Sequence, residues 1–449
     1  MTGCRVLVVG AGRSGSAAAR FLAGRGARVE VWDDRQWDTV PSAGELRSLG
    51  ARLLEAPPDP AGYELAVVSP GIPPRHPLWR AFRAAGVPVV GEVELAAREL
   101  RCPLVAITGT NGKTTVALWS ARILEAQGLR VFAGGNLGRP LVEAVGGEWD
   151  VAVVEVSSFQ LATTERFRPR VAVLLNVAPD HLDWHPDLDH YHASKARIFQ
   201  NQGPGDAAVV NADDPVAWEM GRDGRAVLLG VSASRPLPAG AWFEGEEAVF
   251  CLPGADGVRV GVEPFRAIGL HNRVNALAAC LAAAWVGADV ARAWECVRTL
   301  RPPAHRLEPF LEWRGIRFVD DSKATNVAAA RTALRAVEPP VVWVAGGRGK
   351  GQDFTPLAPA AAGRVRRAVL VGEAAADVAR AVGGVVPVEI APGWPEAVAR
   401  AVEAAQPGDT VLLAPACSSF DRFSGYEERG RTFQSLCRGE VERRDGRAS

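Results

Sequence analysis

Leu104-Val105-Ala106-Ile107-Thr108-Gly109-Thr110-Asn111-Gly112-Lys113-Thr114-Thr115 is a short apolar run that breaks into a glycine turn and continues as the helical pattern Val116–Ala126. A strand, a glycine-rich loop and a helix in that order aim backbone N–H groups and the helix N-terminus at phosphate oxygens. Lys113 stands where an ammonium reaches the β- and γ-phosphates of a nucleotide, and the Thr114 hydroxyl where it can ligand Mg²⁺. The loop is the shorter G-x-x-G-K-T form, because Ile107 occupies the position where the general phosphate loop has its first glycine. The bland alternative, a chance turn with an exposed lysine, leaves the coincidence of strand, loop and helix unexplained.

Around this segment, short apolar runs alternate with alanine-rich helical stretches: Arg5–Val9, Arg28–Trp32, Leu65–Ser69, Val151–Val156, Val171–Asn176, Val341–Ala345, Ala368–Val371 and Thr410–Ala414. Such alternation predicts parallel sheets covered by helices on both faces, an α/β fold. A chain of 449 residues exceeds one core, and three domains are expected, at 1–100, 101–300 and 301–449. Gly230–Phe265, with scattered Pro, Gly and Trp, reads as a small β-rich excursion, and the charged tail Glu440–Ser449 as frayed.

Lys plus Arg and Asp plus Glu balance at 51 each, so no global field favours nucleic acid or an anionic membrane. Seven scattered cysteines without a C-x-x-C pair read as reduced thiols. No apolar run reaches membrane-spanning length, and the expectation is a cytoplasmic protein.

A phosphate loop needs a metal-binding acid nearby, and Glu155 closes the apolar run that begins at Val151. Four of the seven histidines, His181, His185, His190 and His192, fall within a dozen residues. Their spacing matches no zinc pattern, and a solvated polar loop is the alternative for the last three. His181, directly after Asp180, is the better functional candidate. Gly10-Ala11-Gly12-Arg13-Ser14-Gly15 follows a strand, with Asp33 and Asp34 about twenty residues on, and fits a dinucleotide fingerprint. Alone it would indicate an NAD-dependent oxidoreductase. A second nucleotide loop at 109–115 favours a first domain that grips a nucleotide-diphosphate substrate and a second that grips ATP.

The chain resembles the Mur ligases. The segments that carry the resemblance are G-T-N-G-K-T-T (109–115), G-G-N-L-G (134–138), E-V-S-S-F-Q-L (155–161), N-V-A-P-D-H-L-D (176–183), S-K-A-R-I-F (194–199), G-L-H-N-R-V-N-A-L-A-A (269–279), H-R-L-E (305–308) and D-S-K-A-T-N (321–326). Within the family, S-P-G-I (69–72), G-G-R-G-K-G-Q-D-F (346–354), P-A-C-S-S-F-D-R-F (415–423) and Y-E-E-R-G (426–430) resemble the D-glutamate-adding branch, and the D-N-P-R segment of the diaminopimelate- or lysine-adding relatives is missing. The resemblance implies a Rossmann-like first domain, a central ATPase domain and a Rossmann-like third domain in a monomeric enzyme of peptidoglycan precursor synthesis. ATP would phosphorylate the alanyl carboxylate of UDP-N-acetylmuramoyl-L-alanine, and the D-glutamate amine would attack the acyl phosphate. Competing readings are a relative adding another amino acid, including a folylpolyglutamate-synthase-like enzyme, and a non-catalytic nucleotide-binding protein.

Residue by residue, the resemblance implies that Gly109, Thr110, Asn111, Gly112, Lys113, Thr114 and Thr115 hold the ATP phosphates, and that Asn272, Asn275, Arg306 and Asp321 hold adenine, ribose and phosphate. Ser14, Asp34, Arg35, Ser69, Pro70, Gly71, Asn136 and Ser157 would hold the UDP substrate. Lys323, Thr325, Lys350, Ser419, Phe420 and Tyr426 would hold D-glutamate. Thr114 and Glu155 would attend one Mg²⁺, and His181 and Lys195 a second. An ammonium cannot ligand a cation; in the family the lysine matching Lys195 is carbamylated. By its residue type alone, Lys195 reads as a solvated helix lysine. Tyr426, where the family often has Phe, and Arg13, where an uncharged residue is expected, depart from the pattern.

Overall fold

Three parallel-rich sheets, each built from β–α units, make up the computed structural model, which describes residues 1–446. The first contains β1 (Arg5–Val9), β2 (Arg28–Trp32), β3 (Arg52–Leu54), β4 (Leu65–Val68) and β5 (Val89–Val90), with helices α1 (Arg13–Gly24), α2 (Ala43–Ser48), α3 (Pro77–Ala84) and α4 (Glu92–Ala97) between and after them. Its order, β3-β2-β1-β4-β5, is parallel throughout. Strand order reverses at β1, so the chain leaves β1 and β4 in opposite directions and opens a crevice beyond their C-terminal ends.

The second sheet holds β6 (Leu104–Thr108), β7 (Val131–Gly135), β8 (Val151–Glu155), β9 (Val171–Leu174), β10 (Ala207–Asn211), β11 (Val227–Ser232), β12 (Gly240–Glu244), β13 (Glu247–Cys251) and β14 (Val258–Gly261). Its helices are α5 (Lys113–Ala126), α6 (Ser158–Leu161), α7 (Leu188–Ala196), α8 (Pro215–Arg222), α9 (Leu270–Trp285) and α10 (Val290–Val297). The order is β14-β13-β12-β11-β10-β9-β6-β8-β7, and only the β12-β13-β14 edge is antiparallel. That edge is the β-rich excursion expected at 230–265.

The third sheet comprises β15 (Glu308–Trp313), β16 (Ile316–Asp320), β17 (Val341–Gly346), β18 (Val365–Val371), β19 (Val388–Ile390) and β20 (Thr410–Leu413). Its order is β15-β16-β20-β17-β18-β19, with β15 alone antiparallel. The helices are α11 (Val327–Ala336), α12 (Ala358–Ala361), α13 (Ala375–Val382), α14 (Trp394–Ala404) and α15 (Tyr426–Gly446).

Contacts divide the chain into two compact units, one of residues 1–264 and 274–299, the other of 265–273 and 300–449. The first two sheets belong to one unit because a single apolar cluster runs from Val6, Val8 and Leu22 to Ala106, Phe132 and Val154. Buried carboxylates lock them further. Glu94 of α4 accepts the backbone N–H groups of Glu165, Arg166 and Phe167 at 2.8–3.0 Å, and Glu92 accepts that of Val142 at 2.7 Å. In the other unit the third sheet is sandwiched between two clusters, one around Trp343, Leu357 and Val378, the other around Trp394, Val398 and Phe433.

The tail corrects one expectation. Residues 440–446 are not frayed but close α15: Val441 and Glu440 are buried, and Asp445 accepts from Trp313 Nε1 at 3.0 Å and Arg314 Nη2 at 2.8 Å. Charge alone is misleading for a helix whose apolar stripe is thin. Residues 447–449 lie outside the described part. All seven cysteines are free thiols, and no described helix is long and apolar enough to cross a membrane.

Candidate active site

The phosphate-type loop leaves β6, which lies between β9 and β8 in the parallel part of its sheet. Gly112, with φ 87°, is the N-cap of α5, so the helix begins one turn earlier than the apolar pattern alone predicts, at Lys113. A side chain at Gly112 is excluded twice: by the left-handed backbone, and because a Cβ would come within 2.8 Å of Asn275 Oδ1. Asn275, on the buried face of α9, thus stands against the loop. The segment after β9 holds the loop from the other side. Asn111 N donates to Asn176 Oδ1 at 2.8 Å, Asn176 Nδ2 returns a bond to Asn111 O at 3.0 Å, and Thr110 N donates to Asn176 O at 2.9 Å. Lys113 Nζ lies over the loop, donating to the carbonyls of Gly109 (2.8 Å) and Thr110 (3.0 Å), and Thr115 is buried behind it.

The neighbouring strand β8 presents Glu155 to the start of α5. Thr114 Oγ1 donates to Glu155 Oε2 at 2.6 Å, and Asn136 Nδ2 to Oε1 at 2.7 Å. One carboxylate therefore joins the phosphate-type loop to the G-G-N-L-G loop. The Thr114 hydroxyl and the Glu155 carboxylate are the hard oxygen donors that suit Mg²⁺. Ser157 caps α6 through a capping box with Gln160, to which its side chain is bonded at 3.0 Å.

Lys195 is 2% exposed, which corrects its reading as a solvated lysine. It lies on the inner face of α7 one turn after Tyr191, whose ring centroid is 4.8 Å from Nζ. Burial, reinforced by the charge of Lys113, pushes its pKa well below that of an ordinary lysine and favours the neutral amine. The Tyr191 hydroxyl stands 2.8 Å from Thr110 Oγ1 and ties α7 to the phosphate-type loop. Neither Asn176 nor Tyr191 stands out as a candidate in the sequence by itself. The four-residue spacing of Tyr191 and Lys195 is the signal that could have found the tyrosine.

His181 has φ 57°, an uncommon conformation for a residue with a side chain, and its ring packs edge-on to Phe159 at 4.8 Å. His185 is fully buried, against the solvated-loop alternative: Nε2 meets Ser158 Oγ at 2.9 Å and Nδ1 meets His190 Nδ1 at 2.8 Å. Burial lowers its pKa to about 4. Among the described residues, His181, His185, His190 and His192 assemble no metal-type set of three with cysteine or carboxylate. Among the described residues the one cluster of three such side chains is His305, Glu308 and Asp320, already joined by hydrogen bonds that include His305 Nδ1 to Asp320 at 2.6 Å and Gln434 Nε2 to both acids.

The crevice of the first sheet is a cavity of about 470 Å³. Gly12, Arg13 and Ser14 line it at the start of α1, Asp33, Asp34 and Arg35 after β2, Ser69, Pro70, Gly71 and Ile72 after β4, and Gly135, Asn136 and Gly138 on the second-sheet side. Ser14, Asp34, Arg35, Ser69, Pro70, Gly71 and Asn136, all expected to contact the UDP substrate, therefore share one lining. Ser157 alone is outside it, next to Gln160, which is part of it. Trp184 Nε1 donates to Pro70 O at 2.9 Å while its ring stacks on Phe159 at 4.5 Å, so the cavity's S-P-G-I loop is held against the His181 loop.

In the other unit, the expected amine-binding residues leave the C-terminal ends of adjacent strands: Lys323 and Thr325 after β16, where Asp321, expected to hold the nucleotide, also lies, Ser419 and Phe420 after β20, and Lys350 after β17. The β17 and β20 loops pair through Arg348 and Ser418, whose backbones exchange two 3.0 Å hydrogen bonds. Arg429, fully buried on α15, joins β16's loop to β20's by donating to Ser322 O (2.8 Å), Ser322 Oγ (3.0 Å) and Cys417 O (3.1 Å). Lys323 Nζ lies 4.0 Å from the centroid of Tyr426, so the ring is a cation–π floor for that ammonium. Ser419 is buried, whereas Phe420 is 63% exposed. Burial raises Asp321 to about 7 despite the Leu307 N–H it accepts, and Arg306 precedes that residue. Asn272 turns its amide onto Ile268 O at 2.8 Å.

Models of known families match in three consecutive stretches: Mur ligase MurD-like N-terminal domain at residues 4–91, Mur ligase middle domain at 107–283, and Mur ligase glutamate ligase domain at 305–417. The UDP-N-acetylmuramoylalanine--D-glutamate ligase of Anaeromyxobacter dehalogenans is 44% identical, with 97% of this chain and 98% of the relative covered. That of Geobacter metallireducens is 42% identical, with 97% of each covered. Among solved structures, the MurF ligase of Thermotoga maritima in complex with ADP superposes with a TM-score of 0.60 over 99% of this chain and 96% of that one, at 18% identity, a likeness of fold. Phosphate-type loop, buried lysine and strand-end cavity thus stand in the framework that these relatives share over nearly their whole length, and the chain belongs to the Mur ligase family.

Proposed function

We propose that this protein is an ATP-dependent ligase that adds D-glutamate to UDP-N-acetylmuramoyl-L-alanine in peptidoglycan precursor synthesis. The observation that carries the proposal is Glu155, which joins the loop of Lys113 and Thr114 to Asn136 on the wall of the first cavity. A substrate held in that cavity has its path to the phosphate-type loop through these residues. In this reading 1–100 holds the nucleotide sugar, 101–300 holds ATP and 301–449 holds the amino acid, in a monomeric cytoplasmic enzyme.

Lys113 neutralises the β- and γ-phosphates as the γ-phosphoryl group moves to the alanyl carboxylate. Bringing a carboxylate against a triphosphate opposes like charges, so positioning and charge neutralisation do most of the catalysis. Magnesium, two ions in this reading, supplies further neutralisation when bound. Thr114 and Glu155 would hold one ion, and His181 and Lys195 the second. Lys195 qualifies only as its carbamate, and the burial that keeps its amine neutral favours the form that adds CO₂. Asn272, Asn275, Arg306 and Asp321 would orient the nucleoside. Lys323 and Lys350 supply one cation for each carboxylate of D-glutamate, with Thr325, Ser419, Phe420 and Tyr426 around them. The amine then displaces phosphate.

Phosphate release from ATP, measured with UDP-N-acetylmuramoyl-L-alanine and each candidate amino acid in turn, tests the proposal. Release should require D-glutamate and fail with L-glutamate and L-lysine. Equal turnover of D-glutamate and L-lysine would overturn the amino-acid assignment.

A further inference from the structure

The four charged side chains lining the first cavity are Arg13, Asp33, Asp34 and Arg35. Two of them neutralise each other: Arg35 donates to Asp33 through Nε at 2.7 Å and Nη2 at 2.9 Å, and Asp33 also accepts the Ala11 N–H at 2.6 Å. Asp34 has His76 Nε2 at 3.7 Å. The Arg13 side chain makes no hydrogen bond or ion pair among the described residues. It leaves the first turn of α1 and crosses to the loop after β7, where a methyl group on Gly138 would stand 3.1 Å from Nη1. Glycine at 138 leaves the guanidinium uncrowded there, where a methyl group would press on it.

We propose that Arg13 is a specificity-determining residue that pairs its guanidinium with the diphosphate of the nucleotide sugar. This rests on the nucleotide-sugar reading of the cavity. With Asp33 and Arg35 cancelling, Arg13 is the cation left to offset Asp34 when a diphosphate enters. The chain has no net charge, so no global field does this instead. A planar guanidinium suits phosphate oxygens two at a time, which an ammonium does not.

Calorimetric binding of UDP and UMP to the full-length parent, Arg13→Gln and Arg13→Lys tests the assignment. The parent should prefer UDP by about tenfold or more, the scale of a hydrogen bond to a charged group in a partly shielded site. Arg13→Gln should lose most of that preference, and Arg13→Lys should keep part of it. The melting temperature and the Michaelis constant for ATP should stay at parental values in both variants, which separates loss of a phosphate contact from misfolding. An unchanged UDP-to-UMP preference in Arg13→Gln would overturn the role of Arg13 while leaving the nucleotide-sugar reading intact. Failure of the parent to bind UDP would overturn that reading, and Arg13's role with it.

Discussion

Two glycine-rich turns in this molecule, Gly10–Gly15 after β1 and Gly109–Lys113 after β6, follow the same plan of strand, turn and helix, and each has a left-handed glycine, Gly10 at φ 88° and Gly112 at φ 87°; the other glycines of the first turn serve different needs. Gly112 is required by its left-handed backbone and by the closeness of Asn275. Gly15 has no left-handed φ, but a Cβ there would sit 1.8 Å from the Gly10 carbonyl oxygen. Gly12 lines the cavity, and a methyl group on it would meet nothing within 4 Å. The helix starts differ as well. The second turn puts Lys113 and Thr114 there, with Glu155 behind them, and the first puts Arg13 and Ser14 there, without an acid bonded to either. On the proposed function, the second turn would serve phosphoryl transfer, and the first would hold a phosphate group that does not react.

The largest effect that would break this comparison is at Lys113. Lys113→Ala should lower turnover by roughly a hundredfold or more, about 3 kcal/mol of transition-state stabilisation, with UDP binding unchanged. Steady-state kinetics beside UDP calorimetry check it. Turnover within about tenfold of the parent would remove the functional distinction between the two turns.

Within the first turn, the glycines should separate. Gly15→Ala should cost about 1–3 kcal/mol of stability, because backbone, not a flexible side chain, stands in the way. Gly12→Ala should change stability by less than about 0.5 kcal/mol and weaken UDP binding instead. Denaturant melts and calorimetry on both variants decide this, and equal melts would erase the distinction.

The smallest effect is electrostatic. Asp33 is held down to about 2 although burial alone would raise it, because Arg35 and the Ala11 and Arg35 N–H groups favour the carboxylate. Its folded pKa therefore lies below the unfolded value of about 3.9. The stability it contributes is present above about pH 4 and is lost as pH falls towards about 2. Asp33→Asn should flatten that part of the stability profile. An unchanged acid limb would show that Asp33 is uncoupled from folding.

Local segments are the legible ones. A strand, a glycine loop and a helix within a dozen residues declare a phosphate site because every part is a chain neighbour, and Glu155 is readable as the end of an apolar strand. The alternation of apolar runs and alanine-rich stretches likewise determined the α/β class. What the sequence by itself could not decide was which polar side chains are removed from water. Lys195, His185 and Arg429 have the composition of solvated residues and are buried because helices α7 and α15 and the His181 loop pack onto other elements far away in the chain. Asn176 clasps the phosphate-type loop from 65 residues away, and Arg429 reaches Ser322 across 107. Desolvation, and the pKa and hydrogen-bond demands it creates, depend on neighbours that only the packed sheets supply.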